Sequence, residues 1–499
     1  MNILFVYPRY PDAFWSFKHA LKFISKKAAF PPLGLLTVAA MLPPQWHKKL
    51  VDMNITNLTD EDIKWADYVF ISAMIVQQSS VREVIARCKE LHTKTVAGGP
   101  LFTTGYDQFD LGEVDHFILG EAEDVLPHFL EDLQKGCAQH IYQAEEHPDI
   151  TQTPVPLWEL IDIKKYASTN VQYSRGCPFD CEFCDIVILD GHKPRTKDSR
   201  QLIAEFEALY RREWRGGVFI VDDNFIGNKR KLKEETLPAI IEWSRQRKYP
   251  FRFFTEASIN LADDEQLMHL MTEAGFDTVF VGIETPNEES LVECNKFNNT
   301  NRDLVASVKK LQNHGLQVQG GFIIGFDSDP ISIFKSQINF IQKSGIVTAM
   351  VGLLNAPPGT KLYQRLKREN RLLPADTSGD NTDGTINFIP KMNRETLING
   401  YKNVVKTIYS SKPYYERLKV FLEEYKPHRP PKAGRGKLHP YQLKALVNSM
   451  WVLGVKEKGR RHYWKLFNST LFKKPHLFPL FVALSVYGFH FRKVAEKIQ

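Results

Sequence analysis

Short apolar runs alternate with longer stretches of helical period along most of this chain. In the first third the runs are Ile3–Tyr7, Lys49–Met53, Tyr68–Ser72, Thr95–Ala97 and His116–Leu119. Continuous apolar runs this short suit strands covered on both faces. Between them, Pro32–Leu42 reads as an apolar helix stopped by Pro43-Pro44, and Asp60–Trp65 as a short helix. Ser80-Val81-Arg82-Glu83 reads as a capping box opening a helix to about Leu91, and Asp124–Leu133 as a further helix. Five strand–helix units predict a doubly wound, Rossmann-like parallel sheet.

Pro148, Pro154 and Pro156 interrupt regular structure across a linker, 139–166, where Trp158 is expected to pack where the domains meet. The alternation then resumes. Strands are expected at Val171–Tyr173, Val218–Asp222, Phe251–Ala257, Thr278–Glu284, Val318–Gly325 and Ala349–Leu354. Helical period marks Gln201–Arg211, Lys229–Arg245, Glu265–Ala274, Arg302–His314 and Ile331–Lys343. Six parallel units predict an open, partial (βα)6 barrel. The α/β chain thus divides into 1–138, the linker, 167–400 and a helical region, 401–499.

Charge changes the picture only at the end of the chain. Of 65 Lys and Arg, 21 lie in 401–499, against 5 Glu and no Asp. The first 400 residues keep 44 basic and 53 acidic residues. A basic tail on an acidic body suggests an anionic contact; a solvated helical surface is the plain alternative. The opening Met1–Pro8 reads as a strand rather than a signal peptide. Six cysteines in 499 residues exclude a disulfide framework and fit a reducing cytoplasm.

Three of those cysteines carry the chemistry. Cys177, Cys181 and Cys184 stand in the spacing C-x3-C-x2-C at the end of a strand-like run. Structural zinc wants four ligands in paired C-x2-C units, and Cys88, Cys137 and Cys294 stand alone. Three close thiolates can instead hold three irons of a [4Fe–4S] cube and leave the fourth open. In the first sheet, ligands are expected beyond the strand ends, at Ser72-Ala73-Met74, Gly98-Gly99-Pro100 and Gly120-Glu121, where glycines admit a large flat molecule. No G-x-G-x-x-G follows the first strand, which argues against a dinucleotide. No catalytic Ser/His/Asp pattern and no G-x4-G-K-[ST] loop is found.

The cysteine motif, with Phe183 before its last cysteine, resembles the signature of radical S-adenosylmethionine (SAM) enzymes. A Rossmann-like domain placed before such a barrel resembles their cobalamin-dependent (B12-binding) branch, of the hopanoid C-2 methylase type. The resembling stretches are Phe30–Leu36, Ala97–Pro100, Gln172–Cys177, Val221–Phe225 and Gly282–Pro286. The D-x-H-x-x-G motif that elsewhere supplies a histidine to cobalt is absent.

The resemblance implies three cofactors: a [4Fe–4S] cluster on Cys177, Cys181 and Cys184, SAM on its open iron, and cobalamin in the N-terminal domain. It implies SAM contacts at Phe183, Asp222, Glu256, Glu284, Gly320, Gly321 and Gly325, and cobalamin contacts at Ser72, Ala73, Gly98, Gly99, Pro100, Gly120 and Glu121. SAM cleavage would yield a radical that takes hydrogen from an unactivated carbon, and methylcobalamin would supply the methyl group. The implied activity is radical methyl transfer to a small molecule or to a lipid such as a hopanoid. Non-methylating radical chemistry (cyclisation, ring contraction or carbon–carbon coupling) and tRNA modification stand as alternatives. A reductase, flavodoxin or ferredoxin is the implied electron donor. No residue is assigned to a catalytic step.

Further residues remain open. His192 or Arg195 could meet a phosphate or carboxylate of a cofactor, or face solvent. Asn355–Thr360 reads as a rigid rim loop and Cys294 as a packing thiol. Leu477–Phe491 has no charged residue between basic flanks and is too short to span a bilayer. It suits either an ordinary helix packed on the barrel, the reading favoured, or a helix at the inner membrane surface. No RNA-binding module is visible, which disfavours nucleic acid.

Overall fold

The computed structural model describes residues 1–109, 112–374, 378–380, 382–428 and 440–498. Its first sheet has six parallel strands, β1 (Asn2–Tyr7), β2 (His47–Asp52), β3 (Tyr68–Ser72), β4 (Lys94–Gly98), β5 (His116–Leu119) and β6 (Ile141–Gln143), in the order β2-β1-β3-β4-β5-β6. The short runs buried on both faces produce this. Leu4, Val6, Val69 and Ile71 enter a core on one side, while Ile3, Phe5, Tyr68 and Phe70 enter a core on the other. Strand β6, which has only its central residue buried, lies inside the stretch read as linker and gives no apolar run.

The helix expected from a capping box at Ser80 begins earlier and spans Gln78–Glu90 without a side-chain cap. The Ser80 hydroxyl accepts from the Arg9 backbone instead, so a tertiary contact takes the group that a local motif would have used.

A short antiparallel pair, β8 (Ser174–Arg175) and β9 (Arg195–Thr196), flanks the cysteine loop. The second sheet consists of β7 (Ser168–Val171), β10 (Gly217–Ile220), β11 (Arg252–Glu256), β12 (Phe276–Glu284), β13 (Gln317–Ile324) and β14 (Ala349–Leu353). All pair in parallel in the order β14-β13-β12-β11-β10-β7, with β14 and β7 left as edges. This is the part-closed barrel that the alternation predicts.

The gap between its edges is walled by helices from both ends of the chain. Helix Phe478–Ala495 buries Phe481, Leu484, Val486 and Phe491 and packs against helices Lys18–Ile24, Arg394–Tyr409, Pro440–Trp451 and Arg460–Lys473. Phe14 stacks on Phe491 at 4.1 Å, and the Asn448 amide donates to the Phe23 carbonyl. Residues 14–24 thus leave the first sheet and share one core with the barrel and the C-terminal helices. Trp158 is buried in that core too. Leu477–Phe491 is accordingly an interior helix, as favoured, and its apolar face is not free for a membrane. Among the described residues no helix is long and apolar enough to cross one.

Candidate functional site

The loop that carries the three cysteines is positioned from below by Asp222. This carboxylate is fully buried and accepts from the backbones of Tyr173 and Ser174, both at 2.8 Å, and from the Ser174 hydroxyl. It pins the end of β7 to that of β10. Burial pushes its acid up to about 6 against the pull of those hydrogen bonds. Gly176 follows at φ +91°, and a Cβ there would meet the carbonyls of Asp190, Gly191 and Lys193 at 2.8–2.9 Å, so only glycine lets the loop pass. On the other side Arg365 holds Glu182 through two bonds, at 2.7 and 3.0 Å, and Glu182 N donates to the Cys294 carbonyl.

Cys177, Cys181 and Cys184 are all free thiols. Burial pushes each of them up, and Lys296 pulls all three back toward thiolate. Among the described residues no three Cys, His, Asp or Glu side chains converge to hold a single metal ion. Cluster ligands have a different task, since each thiolate meets its own iron. The three thiols sense one another's charge, Cys177 on Cys181 and Cys181 on Cys184, and their set fits a cluster.

One continuous cavity of about 1960 Å³ lies over the loop. A typical small-ligand pocket measures roughly 300–1,000 Å³, so this space suits more than one molecule. Its walls include Phe183 and Cys184, the strand ends of both sheets, the inner face of the barrel and the helix from Phe478.

Of the expected SAM contacts, Phe183, Asp222, Glu256, Glu284 and Gly321 line it. Glu256 is the freest carboxylate of these: among the described residues no hydrogen bond or ion pair engages it, and burial, then the charge of Asp222, raises it to about 7. Glu284 is paired with Lys296 at 2.9 Å. Asp222 has both oxygens engaged inside the protein, as described. Gly320 and Gly325 do not line the cavity; a Cβ on Gly320 would press on Phe322 and Ile346, and Gly325 turns the chain at φ +114° beside Leu354 and Leu397.

Of the expected cobalamin contacts, Ser72, Gly98, Gly99, Pro100, Gly120 and Glu121 line the same cavity, while Ala73 is buried behind them. At Gly99, φ +90°, a Cβ would strike the Ser72 hydroxyl at 2.6 Å, so that glycine serves the packing of the strand ends. Gly120 has open space where its Cβ would be, and so does Gly34 across the cavity wall. A flat molecule can lie directly on such backbone, and the cradle therefore fits the expected group. None of the lining residues from β1 to β6 and their connections is a histidine.

Several residues of the site escaped the sequence reading. Arg175 bridges Glu121 and Glu123, and Arg195 reaches Glu121 at 2.6 Å, so Arg195 faces the first sheet rather than a cofactor phosphate. Burial alone would raise the Glu121 acid; the bonds from Arg195 and Arg175 outweigh it and hold the carboxyl below its usual range. His192 is exposed, 3.8 Å from Asp180. Asp190 and Asp223 meet in the cavity wall, and the acid of Asp223 is pushed well up by burial and then by the charge of Asp190. Cys294 is buried and donates to the Leu291 carbonyl, as a packing thiol does. Asn355 and Pro357 of the rim loop line the cavity.

Comparison with known proteins agrees with this arrangement. Residues 24–130 match the B12 binding domain, 171–340 the radical SAM superfamily and 360–499 a domain of unknown function, DUF4070. The chain is 42% identical to an uncharacterized methyltransferase of Synechocystis, over 100% of this chain and 93% of that one. It is 33% identical to the hopanoid C-2 methylase of Rhodopseudomonas palustris, over 93% of this chain and 88% of that one. Its fold is similar to that of the cobalamin-dependent SAM radical enzyme OxsB, solved with aqua-cobalamin and SAM bound, at 14% identity and a TM-score of 0.62, over 97% of this chain and 83% of that one. By its two sheets, its cysteine loop and these relatives, the chain belongs to the cobalamin-dependent radical SAM methyltransferase family.

Proposed function

We propose that this enzyme methylates an unactivated carbon of a large apolar molecule, with a polycyclic lipid of the hopanoid kind as the first candidate. The observation that carries the reading is the single cavity that joins the cysteine loop, the strand ends of both sheets and an apolar barrel interior. The chemistry that the bound cluster, SAM and cobalamin supply is homolytic hydrogen removal and methyl delivery.

The chain's own residues bind, orient and exclude water. Cys177, Cys181 and Cys184 would hold the cluster, with Phe183 beside it. Glu256 is free to accept from the SAM ribose hydroxyls, Gly321 offers bare backbone beside them, and Glu284 with Lys296 offers one carboxylate and one ammonium to the amino acid part. Ser72, Gly98, Gly99, Pro100, Gly120 and the Glu121 backbone would carry the corrin. Burial and mutual repulsion of Asp190 and Asp223 disfavour ionisation of both carboxyls within this wall. In this reading 1–138, 167–400 and 401–499 divide the labour into methyl carrier, radical chemistry and substrate enclosure. An external one-electron donor, such as a flavodoxin or ferredoxin, completes the cycle.

A lipid substrate also implies a bilayer surface. Helix Pro440–Trp451 and its continuation Val452–Lys456 turn Leu446 to the cavity and leave Leu443, Val447, Trp451 and Val455 exposed, Leu443 at 59%. Lys444, Lys456, Lys458, Arg461 and Lys465 lie on or near the same helix. Apolar side chains among basic ones suit a peripheral contact with anionic lipid.

The deciding experiment is anaerobic purification with the cluster rebuilt and hydroxocobalamin supplied, followed by incubation with methyl-labelled SAM and extracted lipid. About one corrinoid per chain and label in the lipid fraction are expected. Corrinoid without transferable label would leave the cofactor sites standing and remove the methylation of lipid.

A further inference from the structure

The barrel interior is hollow well beyond the cofactor end. Along β13, Gln317, Gln319, Gly321 and Ile323 line the cavity, as one face of a strand does, and Phe322 joins them toward the cysteine end. The register sets Thr278 beside Gln317, and Phe280 beside Gln319. The middle of the lumen is aromatic: Phe219 and Phe254 stack at 5.0 Å, and Trp15 meets Phe280 edge-on at 5.5 Å.

The end remote from the cysteines is polar. Gln317 is only 6% exposed and Gln319 is half-buried; among the described residues neither side-chain amide makes a hydrogen bond, and both are open to the cavity that they line. Among the described residues Asp277 accepts only from the neighbouring Thr278 hydroxyl, and Arg252 stands beside it. Tyr487 of the C-terminal helix lines this end beside Arg252 and Asp277. When an apolar molecule displaces water from this cavity, an amide left without a partner costs about 1–3 kcal/mol, so these side chains favour a bound molecule that brings its own hydrogen-bonding groups to this end.

We propose that Gln317 and Gln319, with Thr278 and Asp277, form a subsite for the hydroxylated end of an elongated apolar substrate whose reacting carbon lies at the cysteine end. The inference rests on the lipid reading of the same cavity. Amides both donate and accept, as hydroxyls do, and Arg252 beside Asp277 offsets the one negative charge, which favours a neutral polyhydroxyl group over a cation. At a strand rise of about 3.3 Å per residue, Arg252 lies roughly 13 Å from Glu256, and Thr278 roughly 20 Å from Glu284. A rigid body of fused rings spans that distance.

The test is equilibrium binding of two probes to the full-length protein with its cluster, read without turnover. One probe is a hopanoid hydrocarbon bearing a polyhydroxylated end, and the other is the same ring system without it. The hydroxylated probe is expected to bind about tenfold more tightly. Gln317→Leu with Gln319→Leu should erase that difference and leave the affinity of the bare hydrocarbon and the thermal midpoint unchanged. The single variant Gln319→Leu, at a half-buried position, should reduce the difference and guards against a folding defect. Equal binding of both probes by the unaltered protein overturns the subsite and leaves the lipid reading intact. A difference that survives in the double variant also overturns it. Binding of neither probe removes the lipid reading and the subsite with it.

Discussion

Glu256 shows how much of the site is decided by a single side chain's surroundings. It ends β11, faces the cavity, and among the described residues has no cation paired with it. Its acid is raised from 4.5 to about 7, by burial first and the charge of Asp222 second. The folded protein therefore binds a proton that the unfolded chain releases, so the stability this group contributes is full below about pH 4.5 and is lost as pH rises through about 7. In the cofactor-free protein, Glu256→Gln should flatten the fall of the thermal midpoint between pH 5 and 8, by up to about 3 kcal/mol at pH 8. Identical pH profiles for the two proteins would show that the carboxyl is neutralised by something else. In the sequence, Glu256 was legible as a strand-end acid. Asp222 was equally legible and proved to be internal, because nothing in the run Val221–Phe225 says which acid the strand turns toward its neighbour's backbone.

At the scale of elements, the join between the two sheets is ionic. Arg175 in β8 reaches Glu121 and Glu123 at the end of β5, with Arg195 of β9 and His147 on the same Glu121. Glu121 and Glu123 keep side-chain exposures of only 8% and 5%, so removing Arg175 leaves Glu123 buried with, among the described residues, only the Thr153 hydroxyl as a side-chain partner, while Glu121 keeps Arg195 and His147. Arg175→Ala should lower stability by about 3–5 kcal/mol and loosen the first sheet from the barrel, visible as protease cleavage in 136–166. Arg175→Lys keeps the charge without the two-pronged geometry and should fall between. Unchanged protease resistance in Arg175→Ala would mean that the apolar contacts of Trp158 hold the join alone. Most strands were legible to within about two residues as local apolar runs, but β7, expected at Val171–Tyr173, lies at Ser168–Val171, because Ser168-Thr169-Asn170 gives no apolar signal. The short β6, and the tertiary contact that takes the Ser80 hydroxyl, left no local pattern to read.

The whole molecule is polarised between an acidic body and a basic C-terminal region with 21 Lys and Arg and 5 Glu. On the helix Pro440–Trp451, Leu443, Val447 and Trp451 are exposed, and Lys456 stands over the Trp451 ring. The protein should sediment with vesicles containing anionic lipid and much less with neutral ones, and raised salt should release it. Val447→Glu with Trp451→Glu should abolish sedimentation while sparing SAM cleavage, because both side chains point away from the core. Sedimentation of the double variant at the original level would place the contact elsewhere. A monomer–dimer shift caused by the same substitutions, without vesicle binding, would assign the stripe to a second copy of the chain.

Two things are determined by this chain locally. The alternation of apolar runs with helical period dictates two parallel sheets, since strand and helix differ in the repeat at which side chains reach a core. The spacing of Cys177, Cys181 and Cys184 dictates a three-thiolate loop, since those few residues must turn together. What only the tertiary structure decides are the relations between distant segments. It brings residues 14–24 among the C-terminal helices, sets Asp190 against Asp223, joins Arg175 to Glu121, and leaves Gln317 unpaired in a hollow barrel. These depend on which faces meet after folding, and no periodicity within either segment records its partner.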